Sequence, residues 1–299
     1  MLPQSVAYST SDNSPMLCKA GNNDATLPRD ARLPINRCNL PAVILGSLTF
    51  QRHPAPLRID GVHEFHRELF DKLDAEADAS RRPELFRDYL TVHFRFEHLE
   101  DAGFDSSRKK HRSRAKATYA RMIRGWSFDS NGAEGAVLKA WVESRFGLIP
   151  RYHGGALGRE GDKKNDAGWL RYMEMRRQGL YGANALEAQL DLVYTYCQYE
   201  FARQHPKRQR LMLYRGVNRL GEHDTLETGR HGHRIVLFNN LNSFSNSRER
   251  ASEFGDYILQ VDVPVSKIFF HQSLLPGLLQ GEDELLVIGG VYAVESAVF

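Results

Sequence analysis

The residues best suited to chemistry form three polar groups in the last third of the chain, each beside a short apolar run. The groups are Arg215 with Gly216, the serines Ser243 and Ser245 on either side of Phe244, and the glutamates Glu282 and Glu284. Arginine can bind a phosphate through two parallel charged hydrogen bonds. A serine hydroxyl can orient a nearby carboxylate, and glutamates two residues apart on an extended chain face the same side. Each group alone is common, since it could equally be a surface charge, a chance pair of serines or a solvated turn.

The order of these groups along the chain is more specific than any one of them. An apolar strand ending in Tyr-Arg-Gly is followed by Ser-Phe-Ser and then by Gly-Glu-Asp-Glu, which runs into another strand. This order resembles the ADP-ribosyltransferases with an Arg, Ser, Glu triad, a group that includes cholera-toxin-like and vertebrate arginine-modifying enzymes. The resemblance implies an α+β fold, in which a helical N-terminal region packs on a C-terminal β-sandwich core with NAD in the cleft between the sheets.

The same resemblance implies a role for each polar residue. Arg215 is expected to bind the pyrophosphate of NAD, and Gly216 leaves room for backbone contact with the nicotinamide amide. Ser243 supports the catalytic Glu284, whose carboxylate stabilises the positive charge that grows on the ribose as nicotinamide leaves. Glu282 is expected to hold the acceptor arginine and to take its proton.

An aromatic side chain is also expected against the nicotinamide ring. Tyr214, Phe244 and Phe254 are the candidates, although each could instead be a core residue, and Ser245 is grouped with them as an NAD-binding residue. No metal site is predicted. The pair His63 and His66 has the wrong spacing for the zinc motif HExxH, whose histidines lie four residues apart.

Two further stretches narrow the resemblance to one bacterial branch, the NAD–dinitrogen-reductase ADP-ribosyltransferases of nitrogen-fixing bacteria. These stretches are CNLPAVILGSLTF at 38–50 and NNLNSF at 239–244, and the resemblance covers the chain from about residue 35. It implies transfer to an arginine of dinitrogenase reductase and reversible inactivation of nitrogenase, opposed by a separate glycohydrolase. It also implies control by a PII-type signalling protein.

Two alternatives stay open on the sequence. The chain could hydrolyse NAD or modify another protein, as a toxin does, or it could be a non-catalytic NAD-binding module. The intact set of Arg215, Ser243 and Glu284 argues against the binding module, because mere binding does not need all three.

The elements that must position these residues change character near residue 208. Before it, apolar residues recur at helical spacing and predict helices at 62–73, 85–96, 137–146 and 186–201. After it, short apolar runs between turn residues predict strands at 211–214, 235–238, 257–263, 268–271, 285–288 and 291–294, with one helix at 247–254. The apolar run at 41–50 is predicted to be a buried strand or turn.

These elements suggest three regions. Residues 1–34 are polar and rich in turn residues, which predicts a disordered tail. Residues 35–207 are expected to form a helical region that is surplus to catalysis and serves partner recognition. Residues 208–299 are expected to form the catalytic core, packed with the helices as one unit. The basic stretch at 108–116 and the glycine-rich loop at 151–165 are the features predicted to touch a partner protein.

Composition excludes several other classes of protein. No apolar run reaches the ~20 residues of a membrane span, and the N-terminus lacks the pattern of a signal peptide. The three cysteines are far apart and form no CxxC pair, which fits a reducing cytoplasm. A formal net charge of only +3 does not indicate nucleic-acid binding.

Overall fold

The computed structural model describes residues 25–96, 117–158, 166–183, 185–220, 223–230, 232–275, 278 and 284–298. The basic stretch at 108–116, the second half of the loop at 151–165 and Glu282 lie outside these residues. Within them the protein combines helices with one six-stranded sheet, so the α+β class is confirmed. No helix of the described part is long and apolar enough to cross a membrane.

The described chain before residue 208 is helical. Its helices are α1 (Ala42–Leu45), α2 (Leu48–Arg52), α3 (Val62–Phe65), α4 (Arg67–Ala75), α5 (Arg82–His93), α6 (Tyr119–Phe128), α7 (Ala133–Phe146), α8 (Ala167–Gly179) and α9 (Leu186–Gln204). Helix α6 begins at Thr118, whose hydroxyl accepts a hydrogen bond from the Arg121 amide at 3.3 Å. Helix α7 ends at Gly147, which adopts the left-handed conformation with a φ of 70°.

Two predictions about the helices were wrong, and two helices were missed. The run at 41–50 folds into α1 and α2 rather than a strand, because Ser47 caps α2 by accepting from the Phe50 amide at 3.2 Å. The single helix predicted at 62–73 is broken at His66 into α3 and α4. Helices α6 and α8 were not predicted, although the buried residues of α6 recur at the spacing of a helix face.

Six strands follow residue 208 in the described part. They are β1 (Arg210–Val217), β2 (Asp224–Thr228), β3 (His233–Ser245), β4 (Tyr257–Pro264), β5 (Ile268–His271) and β6 (Glu284–Val298), with helix α10 (Arg248–Ser252) between β3 and β4. Their order is β2-β3-β1-β4-β6-β5, and an additional pairing of β3 with β6 closes β3, β1, β4 and β6 into a ring. All pairings are antiparallel.

The longest pairing joins β3 to β6 and contains an irregularity. The register shifts between Phe238 and Leu241 of β3, opposite Gly289 and Gly290 of β6. A Cβ at Gly289 would lie 1.7 Å from the Asn239 carbonyl oxygen, and Gly290 has a φ of 121°. The two glycines therefore let one continuous strand pass the bulge, where the sequence predicted two separate strands.

One hydrophobic core cluster extends through both the helical and the β-rich parts of the described chain. Several buried polar groups tie the two parts together. The Tyr194 hydroxyl of α9 donates to the Ser266 carbonyl at 2.7 Å, and the Gln51 side chain of α2 exchanges hydrogen bonds with the backbone of Ala293 at 2.7 and 3.0 Å. The Trp141 ring of α7 packs on Phe269 of β5 with centroids 4.7 Å apart.

The first described residues, 25–34, also pack against the protein. Leu27 and Ala31 are 3% and 2% exposed, and the Ala31 carbonyl accepts from the Ile149 amide at 3.0 Å. This part of the chain was predicted to belong to the disordered tail, so the predicted boundary at residue 34 lies too late. The polar composition of the segment concealed the apolar side chains that anchor it.

A buried ion pair joins α5 to α9. The Arg82 guanidinium donates to both carboxylate oxygens of Glu200, at 2.7 and 2.9 Å, and both side chains are almost fully buried. Gln204 donates a further bond to Glu200 at 2.9 Å. The carboxylate also raises the pKa of Arg82 through this hydrogen bond.

The substitution Glu200→Gln should lower the free energy of unfolding by about 3 kcal/mol or more, because Arg82 would remain buried and charged without its counter-charge. Urea unfolding checks this value. The matched control is Glu68→Gln, which removes a carboxylate that pairs with Lys72 at 2.6 Å on the surface. The control should change stability far less. An equally small loss in both variants would contradict a structural role for the buried pair.

Candidate active site

Three strands bring Arg215, Ser243 and Glu284 together. The Ser243 hydroxyl on β3 donates to Oε1 of Glu284, the first residue of β6, at 2.5 Å. The Arg215 guanidinium on β1 donates through Nη1 to the Ser243 carbonyl oxygen at 2.8 Å. Ser243 therefore contacts both partners, through its side chain and through its backbone. Residues far apart in the sequence meet here because β3 pairs with both β1 and β6.

The bulge in β3 is anchored to the helical part of the protein just before Ser243. The Asn240 side-chain amide donates to the carbonyl oxygens of Lys139 at 2.7 Å and Leu148 at 3.0 Å. The Asn239 side-chain oxygen accepts from the Arg151 amide at 2.9 Å. Side chains alternate between the two faces of a strand, so the bulge decides on which face Ser243 lies.

His223 is a neighbour of Arg215 that the sequence analysis missed. Its Nε2 lies 3.4 Å from the Arg215 Nε, and its ring meets Phe238 edge-on with centroids 4.7 Å apart. Burial, and next the positive charge of Arg215, lower the pKa of His223 to about 3. The imidazole is therefore neutral at ordinary pH and can accept a hydrogen bond from Arg215. No sequence signal pointed to it, because a single histidine before a short strand is unremarkable.

Helix α6 supplies two more residues to the site. The Trp126 indole donates to the Ser243 hydroxyl oxygen at 2.8 Å, and the Ser127 hydroxyl donates to Oε2 of Glu284 at 2.6 Å. Each carboxylate oxygen of Glu284 thus accepts a hydrogen bond from a serine. The last turn of α6, in the region predicted to be surplus to catalysis, therefore contacts both Ser243 and Glu284.

The other predicted site residues occupy different surroundings. Tyr214 is half-buried beside Arg215, and Phe254 is 61% exposed. Phe244 is only 3% exposed and its ring packs on Phe238, so it is a core residue that presents no free ring face. The Ser245 hydroxyl accepts from the Ser247 amide at 3.0 Å and stabilises the turn that leads into α10. Glu282 lies outside the described residues.

Comparison with known proteins identifies the family. Residues 35–296 match the profile of the family Dinitrogenase reductase ADP-ribosyltransferase (DRAT). The chain belongs to this family. A protein of Rhodospirillum rubrum named NAD(+)--dinitrogen-reductase ADP-D-ribosyltransferase is 39% identical over 271 residues, which are 88% of this chain and 94% of that protein. No solved structure matches the chain. The bacterial branch that the stretches at 38–50 and 239–244 predicted is therefore confirmed.

Gly216 of this family member allows α10 to approach β1 closely. A Cβ at Gly216 would lie 2.0 Å from the Ala251 carbonyl oxygen of α10. A side chain would displace α10 and the turn after Ser245, both of which adjoin Arg215. The glycine therefore has a packing function in addition to any contact with substrate.

The substitution Gly216→Ala should destabilise the protein by about 1–3 kcal/mol, because backbone atoms cannot yield as a flexible side chain can. Thermal unfolding measures the loss. Gly155→Ala is the control, since a Cβ at Gly155 meets nothing within 4 Å. If both alanine variants melted at the same temperature, the close packing of α10 on β1 would be refuted.

Proposed function

We propose that this chain transfers the ADP-ribose group of NAD to an arginine of dinitrogenase reductase and releases nicotinamide. The relative from Rhodospirillum rubrum is named for this reaction, and the chain matches it over 94% of its length. The observation that carries the proposal is the hydrogen-bonded contact of Arg215, Ser243 and Glu284 in a member of this family. NAD is the substrate that supplies the group.

In this proposal the bond between the nicotinamide nitrogen and the ribose carbon C1′ breaks, and nicotinamide leaves with the bonding electrons. Glu284 faces the ribose and stabilises the positive charge that develops on it. The hydroxyls of Ser243 and Ser127 hold the carboxylate in place at 2.5 and 2.6 Å. A preorganised carboxylate is more effective than a mobile one because no reorganisation is needed in the transition state.

Arg215 binds the pyrophosphate of NAD in this proposal. Its Nη1 already donates to the Ser243 carbonyl, which fixes the guanidinium relative to Glu284. The neutral His223 at 3.4 Å from Nε adds no competing positive charge. A guanidinium can donate to two phosphate oxygens at once, which fixes the direction of the substrate as well as its position.

Glu282 receives the acceptor arginine in this proposal. It stands two residues before Glu284, and the guanidinium of the acceptor would donate two hydrogen bonds to its carboxylate. One guanidinium nitrogen then forms the new bond to C1′, and the proton it loses passes to Glu282.

The β-sandwich predicted for the core belongs to the same proposal. A bulge bends a strand, so the shift in β3 between Phe238 and Leu241 supports an arrangement in which the two halves of this strand lie in different layers. NAD would then bind in the cleft between the layers. Reversible inactivation of nitrogenase would follow from the modification. Control by a PII-type protein and a cytoplasmic location stay predictions of the sequence.

The substitution Glu284→Gln should reduce both ADP-ribose transfer and NAD hydrolysis by about 10²- to 10³-fold, because it removes the charge that stabilises the ribose cation. Release of labelled nicotinamide measures both reactions. Glu295→Gln, at an exposed position on the same strand, is the matched control. Near-normal activity of a folded Glu284→Gln protein would overturn the assignment of Glu284.

The substitution Glu282→Gln should separate the two reactions. Transfer to arginine should be lost because the guanidinium loses its anionic partner, whereas part of the NAD hydrolysis should persist because water needs no such partner. Transfer to a small guanidine compound and nicotinamide release are measured on the same preparation. Equal loss of both activities would show that Glu282 serves the cleavage of NAD instead.

The substitution Arg215→Lys should weaken NAD binding about tenfold, because lysine keeps the charge but cannot form two parallel hydrogen bonds. Isothermal titration with NAD measures the dissociation constant. Arg210→Lys on the same strand, where the arginine pairs with Asp262 at 3.6 Å, serves as the control. An unchanged dissociation constant for Arg215→Lys would remove this residue from the pyrophosphate site.

A further inference from the structure

The last turn of α6 binds the carboxylate oxygen of Glu284 that β3 does not bind. Ser243 bonds Oε1 and Ser127 bonds Oε2, while the Trp126 indole donates to the Ser243 hydroxyl oxygen at 2.8 Å. The indole occupies an acceptor position of that hydroxyl, so the Ser243 proton is directed toward Glu284. These three contacts fix both the position and the rotation of the carboxylate.

Lys139 on α7 binds the chain that directly follows α6. The residue is 2% exposed. Its ammonium group donates to the Ser130 carbonyl at 3.0 Å and the Tyr152 carbonyl at 3.1 Å, and it lies 5.6 Å from the centre of the Trp126 ring. The Lys139 carbonyl accepts from Asn240 in the β3 bulge at 2.7 Å. One residue of α7 therefore links the chain after α6 to the strand that carries Ser243.

We propose that Trp126 and Ser127 are positioning residues for Glu284, and that α6 is thereby a component of the catalytic apparatus. This inference rests on the proposed function, since it concerns the carboxylate that cleaves NAD. A positioning residue acts on the rate of the chemical step rather than on substrate binding. Loss of either hydrogen bond should therefore reduce kcat and leave the KM for NAD unchanged.

Ser127→Ala, Ser127→Thr and Trp126→Phe test the proposal, with Ser80→Ala at an exposed position as the control. Ser127→Ala and Trp126→Phe should each lower kcat for NAD cleavage about tenfold, and Ser127→Thr should restore most of the loss because threonine keeps the hydroxyl. The proposal would be overturned if Ser127→Ala kept the kcat of the unsubstituted protein, or if Ser127→Thr did not restore the lost activity. It would also be overturned if the KM for NAD rose while kcat stayed constant. Failure of the proposed function would look different from these outcomes, because the protein without any substitution would then cleave no NAD.

A different observation on the same helix concerns partner recognition. Phe128 follows Ser127 directly and is 95% exposed, the largest exposed fraction among the exposed large hydrophobic side chains of the described residues. Its neighbours on both sides are held by hydrogen bonds, from the Ser127 hydroxyl to Glu284 at 2.6 Å and from the Asp129 amide to the Gly125 carbonyl at 2.8 Å. The backbone that carries this exposed side chain is therefore fixed, one residue away from the hydroxyl that contacts Glu284.

We infer that Phe128 contacts the protein substrate. An acceptor arginine can reach the ribose beside Glu284 only if its own protein covers the surroundings of the site. Aromatic residues, phenylalanine included, are enriched in the parts of protein interfaces that become buried. A small guanidine compound enters the same site without covering Phe128. This inference also rests on the proposed function.

The test compares Phe128→Ala with the control Phe65→Ala. Phe65 lies on α3, is 75% exposed and packs against His66 and His93. The ratio of protein modification to modification of agmatine should fall about tenfold in Phe128→Ala and stay constant in Phe65→Ala. A constant ratio in Phe128→Ala would overturn the inference. A marked fall in its melting temperature would also do so, because Phe128 would then be covered by this chain itself. Absence of agmatine modification in the unmodified protein would instead refute the proposed function.

Discussion

The pairing of β3 with β6 is the contact on which both the sheet and the site depend. It closes four strands into a ring, and its end places Ser243 and Glu284 within hydrogen-bond distance. The two strands stay paired across the register shift because Gly289 has no side chain. A Cβ at this position would lie 1.7 Å from the Asn239 carbonyl oxygen. A small local exception to regular β-structure thus sets the geometry of the carboxylate that the proposed chemistry needs.

The helical part stabilises this pairing from outside. Helix α2 exchanges hydrogen bonds with β6 through Gln51, and α7 binds the bulge of β3 through the carbonyl of Lys139. The Val291 amide of β6 donates to the Gly46 carbonyl, between α1 and α2, at 2.8 Å. The two kinds of secondary structure consequently share one core, and the last turn of α6 contacts the triad itself. Helix α6 and the strands therefore both contribute side chains to the candidate site.

The buried basic side chains have two kinds of partner. Arg82 and Arg145 form close pairs with Glu200 and Asp191, with shortest distances of 2.7 Å, so that each charge is compensated. Lys139 and Lys267 instead have backbone carbonyls as their nearest partners, and burial lowers the pKa of each to about 7. Retaining an ammonium group at such a position costs stability. In the case of Lys139, the buried ammonium group binds the Ser130 carbonyl and so holds the chain that follows α6.

The sequence by itself determined the family and the α+β class. It also predicted the site residues Arg215, Ser243 and Glu284, which the fold brings into contact, because each stands in a short local pattern whose order is specific. It also located the long helices α7 and α9, whose apolar residues recur regularly. It did not reveal α1 and α2, since an apolar run of this length suits a strand or a helix equally well. Only the tertiary structure decided that Trp126, Ser127 and His223 adjoin the triad and that Phe244 belongs to the core. These contacts join residues up to 157 positions apart, as for Ser127 and Glu284, and no local pattern encodes such a distance.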